Sequence, residues 1–276
     1  MLSKLKLPLV ALVFSFTGLA SADTDRGTDL ERLLDVTGIT SSIAAIPKSI
    51  DDEMSAEALT AQVGDPQLAT IINRAASNNL TQSLFDNSIR DSLNERLTKS
   101  EISQQLAFYD TPLGQRIAKA HRQDQYQISK RVKDGERLAL STEREKLITQ
   151  LDLVIMGSDN AERIAIDAAT VMSHSMMSAM GMPASVEQVR AMVAPSILSD
   201  LDSLNEEYHA TMAYTYEALS DDDLRQFISY MAKPESTIFC DALWNSMSRA
   251  FLKGGTAMGS EPVSYTHLTL PTILLV

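Results

Sequence analysis

The sequence predicts an all-α protein built of two tandem, similar helical bundles of about five to six helices each. Three observations lead there. Apolar residues recur at steps of three and four, as in Phe85, Ile89 and Leu93 or Ile102, Leu106 and Tyr109, and no stretch shows the sustained two-residue alternation of a strand. These patterns begin at a hydroxyl residue three places ahead of an acid, such as Thr98 with Glu101, and prolines stand where the next helix can start. The chain also matches itself, since Leu97 to Ile117 lies over Leu219 to Phe239 without a gap.

Taken in order, residues 1–22 read as a secretory signal. Lys4 and Lys6 precede an apolar run from Leu7 to about Ala20, and Ala20-Ser21-Ala22 offers a small-x-small cleavage site before Asp23. The run is shorter than the roughly 20 residues that span a bilayer. The expected location is therefore the periplasm or the exterior, after cleavage near Ala22. The first helical repeat is expected over 28–130 and the second over 143–256. Within the self-match, Leu97 meets Leu219, Thr98 meets Ser220, Glu101 meets Asp223, Phe108 meets Tyr230 and Pro112 meets Pro234. Upstream, "LERLLDVTG" (Leu30 to Gly38) is echoed by "LITQLDLVIMG" (Leu147 to Gly157). Between the repeats, His121 to Lys146 predicts a continuous helix broken near Asp134-Gly135, with Ser141-Thr142 capping the next helix. Ile197, Leu201, Leu204, Tyr208, Met212, Thr215 and Leu219 predict one apolar seam along a single helix of six turns. After Gly254-Gly255 the pattern stops. Residues 262–276, "PVSYTHLTLPTILLV", carry no charge, resemble an adapter-derived tail, and are set aside as non-native.

The net charge of −12 becomes two units more negative once Lys4 and Lys6 are removed with the signal. Such a chain is repelled by phosphate backbones, so no nucleic-acid partner is expected. Cys240 is the only cysteine, which leaves no intramolecular disulfide even in an oxidising compartment. Its neighbours Phe239, Asp241 and Ala242 supply no cation or base, so it reads as a buried small hydrophobe.

"LERLLDVTGI" and "LTKSEISQQLAFYDTPLGQRIAKA" together resemble the bacterial envelope family catalogued as domain of unknown function 2059. That family is recognised by an early Leu-Leu-x-x-Thr-Gly stretch and a Phe-Tyr-x-Thr/Ser-Pro-x-Gly corner. The resemblance is good over 28–125 and degenerate over 143–252, where Lys233 and Ser236 replace Thr111 and Gly114. It implies an exported all-helical protein and brings no catalytic residues.

The corner is read as structural. Thr111 is placed as a helix N-cap and Pro112 as the first helical residue, with Phe108 and Tyr109 ending the preceding helix on its buried side. Between the copies Asp110 becomes Ala232, Thr111 becomes Lys233 and Gly114 becomes Ser236, while aromatic bulk (Tyr230) and proline (Pro234) persist. Packing and turn chemistry explain that selection better than catalysis.

"VMSHSMMSAMGM" supplies the one soft-metal candidate: Met172, Met176, Met177 and Met180 with His174. At about 100° per residue, Met172, Met176 and Met180 share a face while His174 lies well away from it. A core or an adaptable peptide groove is the preferred reading. Ser158-Asp159-Asn160 lacks the Ser-x-x-Lys and Lys-Thr-Gly partners of penicillin-recognising enzymes, and Asp159 with Glu162 reads as a capping box. His121 and His209 are isolated in helical patterns, and Asp221-Asp222-Asp223 complements a helix dipole. The expected function is a non-enzymatic protein- or peptide-binding or structural module of the cell envelope, without cofactor. The alternative is a methionine-based copper or other metal-handling protein.

Overall fold

A computed structural model describes residues 26–179, 182 and 184–260. The signal-like segment 1–22, the tail 262–276 and Met180 lie outside the described residues. Fourteen α-helices and no strand form among the described residues. In the first half they are α1 (Arg26–Val36), α2 (Ile39–Glu53), α3 (Ala56–Val63), α4 (Pro66–Asn79), α5 (Gln82–Arg96), α6 (Lys99–Tyr109), α7 (Pro112–His121) and α8 (Gln125–Lys133). The second half holds α9 (Thr142–Ile155), α10 (Gly157–Ala179), α11 (Val186–Ser199), α12 (Leu201–Thr215), α13 (Asp221–Met231) and α14 (Pro234–Ser260). None is long and apolar enough to cross a membrane.

Helix starts are set by side-chain caps. Ser55, Asp65, Thr81, Thr98, Thr111, Asp124, Ser141, Ser185 and Ser220 each accept a bond from an amide of the following first turn. Thr98 and Glu101 complete the reciprocal capping box. At the matching second start, Ser220 accepts from Asp223, whose carboxylate is bound instead by Arg116. Both self-matched segments yield the same elements. α6 and α13 lie 122 residues apart at each end, from 99 to 221 and from 109 to 231, and Pro112 and Pro234 each open the next helix.

Buried side chains from both halves join in one core that runs from Leu30 to Met258. Its main crossing is made by α14, which lies along α5 of the first half. Phe85 meets Phe251 edge to face at 5.0 Å, and Ser92 Oγ donates to the Ala242 carbonyl at 3.0 Å. α14 also runs beside α10, and Trp244 donates from Nε1 to the Ile155 carbonyl at the end of α9 at 3.1 Å. Gly254 and Gly255 permit these approaches. A Cβ on Gly254 would lie 2.5 Å from Leu80 Cδ2, and one on Gly255 would lie 3.1 Å from Val171 Cγ1.

Three helix boundaries differ from the expectation. The seam from Ile197 to Leu219 is divided, because α11 ends at Ser199, Asp200 leaves the helical conformation at φ −101°, and Leu219 lies past the end of α12. The region after His121 breaks at Arg122–Asp124 as well as at Asp134-Gly135; Asp124 caps α8, and Gly135 takes φ 89°. Asp159 does not cap α10. It lies inside the first turn, and the amide of Ser158 is held instead by Asp152, six residues back.

Candidate binding face and the corner

The corner is held by its own atoms. Thr111 Oγ1 donates to the Phe108 carbonyl at 2.6 Å and accepts from the Gly114 amide at 3.0 Å, and Pro112 opens α7. Gly114 is required by closeness: a Cβ there would lie 2.3 Å from the Phe108 carbonyl oxygen and 2.4 Å from Tyr109 Cα. Asp110, the corner's acid, pairs with Arg32 at 2.8 Å. The corner and the segment that aligns with it in the sequence meet each other. Phe108 stacks on Tyr230, its own match in the alignment, with ring centroids 3.5 Å apart and planes 5° from parallel. Tyr109 is buried and stands edge-on to both. Tyr230 donates its hydroxyl to Gln105 Oε1 at 2.5 Å, and Gln105 Nε2 donates to the Glu235 carbonyl just after Pro234. Arg116 binds Asp223 across the same contact. The named groups of the corner are thus engaged in turn geometry, in tying the corner to α1 through Asp110 and Arg32, or in joining the halves.

The methionine stretch lies on α10. Met172 is fully buried in the main core, against Gly255 of α14. Met177 packs into a separate small cluster with Ala169, Val189 and Val193. His174 is half-buried. Met180 and the side chain of Met176 lie outside the described residues. Among the described residues no three His, Cys, Asp or Glu side chains gather as a metal site.

α11 offers the more open surface. Ser185 and Gln188 cap it reciprocally, and Val189, Val193 and Ile197 seat it on α10 through that small cluster, apart from the main core. Its other side leaves Met192 and Leu198 52% and 47% exposed, while Val186, 44% exposed, lies at the helix start on the seated side. Ala191 and Pro195 are exposed beside them, and the helix carries one acid and one base, Glu187 and Arg190. An uncharged apolar helix face in so acidic a chain is suited to contact with another apolar surface. Apolar spacing alone does not mark it, because Met192 and Leu198 fall outside the four-and-three seam that runs through Val186, Val189, Val193 and Ile197.

Two histidines that look isolated in the sequence have partners in space. His121, on α7, meets the Tyr216 hydroxyl at 2.7 Å through Nε2, and burial holds its pKa well below the ordinary value, helped by Arg122. His209, on α12, meets Asp152 Oδ2 at 2.9 Å. Cys240 is buried and its thiol is pushed up to about 12, so it is not a thiolate near neutrality.

Residues 85–123, from α5 through the corner to the end of α7, match the family described as an uncharacterized protein conserved in bacteria (DUF2059). No curated protein and no solved structure matches the chain.

Proposed function

We propose that the chain is an exported protein, periplasmic or secreted, in which two diverged copies of one helical repeat share a core, and that it serves as a non-enzymatic binding or structural module of the cell envelope. The repeat reading is supported by matched contacts that are independent of the self-match. Arg26 at the start of α1 donates to the carbonyls of Asn94 and Leu97, the latter directly before the Thr98 cap. Arg144 at the start of α9 donates to the carbonyls of Tyr216 and Leu219, the latter directly before the Ser220 cap. Each arginine ties the first helix of its half to the end of the same later helix. α4 and α11 likewise share a length of 14 residues and follow one another's position by 120.

The observation that carries the functional reading is the exposed apolar side of α11. Its partner is an envelope protein or peptide with an apolar helix-binding surface. Met192→Glu and Leu198→Glu place charge on residues about half exposed, so both variants are expected to keep the melting temperature of the parent within about 2 °C. The full chain, expressed with its own first 22 residues and enriched after in-cell crosslinking, is expected to bring down one dominant envelope protein that both variants lose. Equal recovery from parent and variants would remove α11 as the contact surface.

A further inference from the structure

The turn between α9 and α10 combines backbone strain with a titratable clamp. Met156 makes that turn at φ 50° and ψ 41°, and it is the one non-glycine residue with positive φ among the described residues. A side chain with a Cβ is disfavoured there. The matching turn of the first half, between α1 and α2, uses Gly38 at φ 59°, which carries no such penalty. Asp152, one turn back on α9, holds the strained turn closed. It accepts from the Ser158 amide at 2.8 Å and from Ser158 Oγ at 2.7 Å, and it meets His209 Nε2 of α12 at 2.9 Å.

Asp152 is sealed and its partner is not. The carboxylate side chain is 6% exposed and the imidazole 34% exposed, so solvent protons reach the ring but not the acid. Burial pushes the Asp152 pKa up, and the bonds from His209 and Ser158 more than reverse this, leaving it below the usual carboxylate value. On α12 the group facing Asp152, besides His209, is the Tyr208 phenol. It is buried without a hydrogen-bond partner among the described residues and raised well above its ordinary pKa by burial and by Asp152. Cys240 of α14 acts on Tyr208 and is a neutral thiol near pH 7; α10 contributes Ser158, which does not titrate. Tyr208 also fills the space where a Cβ on Gly157 would lie, 2.0 Å from its hydroxyl oxygen, so the turn has no room to adjust on that side. Within this set only an imidazole changes charge between about pH 5 and 8.

We propose that Asp152 and His209 form a proton-operated latch on the α9–α10 turn, closed while the ring is charged and loosened when it is neutral. With a neutral ring, Asp152 is a buried anion held by a serine alone, and the strain at Met156 is no longer opposed by an ion pair. The first turn of α10 then opens more often, loosening α10, the helix on which α11 is seated. That the latch governs partner contact rests on the proposed binding role of α11; the latch itself does not.

Hydrogen exchange of the full chain at pH 5.5 and 8.0, corrected for the chemical exchange rate, tests it. Amides of residues 157–163 are expected to open severalfold more at pH 8.0 than at pH 5.5, while residues 66–79 of α4 stay constant. His209→Arg, which places a permanent cation, should stay closed at both values. His209→Gln and Asp152→Asn should be open at both, and Met156→Gly should reduce the opening at pH 8.0. Equal opening at the two pH values in the parent overturns the latch, as does a pH dependence that survives in His209→Arg. If that variant fails to fold, His209→Gln decides alone, and closure at both values overturns the proposal. No partner enters this experiment, so failure of the latch and failure of the α11 contact are read separately.

Discussion

Gly114→Ala tests whether the corner is made by close backbone approach. In an ordinary helix this change is favourable by about 1 kcal/mol, because alanine loses less backbone freedom on folding. At this corner the new methyl carbon would fall 2.3 Å from the Phe108 carbonyl oxygen and 2.4 Å from Tyr109 Cα. Both are backbone atoms, so no flexible side chain can swing aside; α6 and α7 must separate by several tenths of an ångström. That movement disturbs the Thr111 cap and the Phe108–Tyr230 stack together. Overpacking of this kind costs about 1–3 kcal/mol at side-chain contacts, and here the upper end applies. Set against the propensity gain, the net loss is about 2 kcal/mol. In a protein of this size each kcal/mol moves the melting temperature by about 2–4 °C, so a fall of about 4–8 °C is expected. Urea denaturation of the full chain measures the free-energy loss and calorimetry the temperature. Ser236→Ala is the control: the aligned position already holds a Cβ in the core, so the change adds no atom and no clash, and no comparable fall in melting temperature is expected. A Gly114→Ala protein as stable as the parent, or more stable, would refute the close-approach reasoning.

The other predictions concern the joint between the halves and its charges. A double-mutant cycle with Phe108→Leu and Tyr230→Leu should return a coupling of about 1 kcal/mol in urea denaturation, the value for a stacked aromatic pair. Arg144→Met should lower stability by about 2–3 kcal/mol, because it strips buried carbonyls of Tyr216 and Leu219 of a charged donor. Arg26→Met, whose bonds to Asn94 are exposed and whose bond to Leu97 is only part-buried, should cost less than Arg144→Met in the same assay. His121 gives a pH signature of defined sign. Its pKa is depressed in the folded protein, so below the ordinary histidine value of about 6.5 the unfolded chain takes up a proton that the folded chain refuses. Stability should therefore fall as pH drops below about 6.5, by up to about 1.4 kcal/mol per pH unit until the folded state also protonates. Chemical denaturation between pH 4.5 and 7.5 should show this slope in the parent and a reduced slope in His121→Gln.

The helical class and the placement of the corner were legible because they depend on local rules. Thr98, Thr111 and Ser220 act as N-caps, and Pro112 and Pro234 sit at first helical positions, where residue types within four positions of each other decide the outcome. The division of the seam at Asp200 was not legible, since apolar spacing continues across a break that only the backbone records. The α9–α10 turn shows a subtler failure. Pairing of "LERLLDVTG" with "LITQLDLVIMG" sets Gly157 under Gly38, yet the left-handed residue is Met156. Gly157 is needed for another reason, the Tyr208 ring, which arrives from 51 positions further along the chain. Asp152 and His209 are likewise 57 positions apart, and neither carries a neighbouring residue that marks it. The stacking of Phe108 on its own counterpart Tyr230 also had no sequence signal, because self-matching identifies equivalent residues without saying that they touch.

The exposed side of α11 is proposed as the surface this protein presents to a partner. A photo-activated crosslinking residue placed singly at Ala191, Met192 or Leu198, and in parallel at the exposed control positions Gln226 and Lys253, tests it in living cells. One adduct of constant mass is expected from the three α11 positions and none from the controls. Adducts from Gln226 or Lys253 with none from α11 would contradict it.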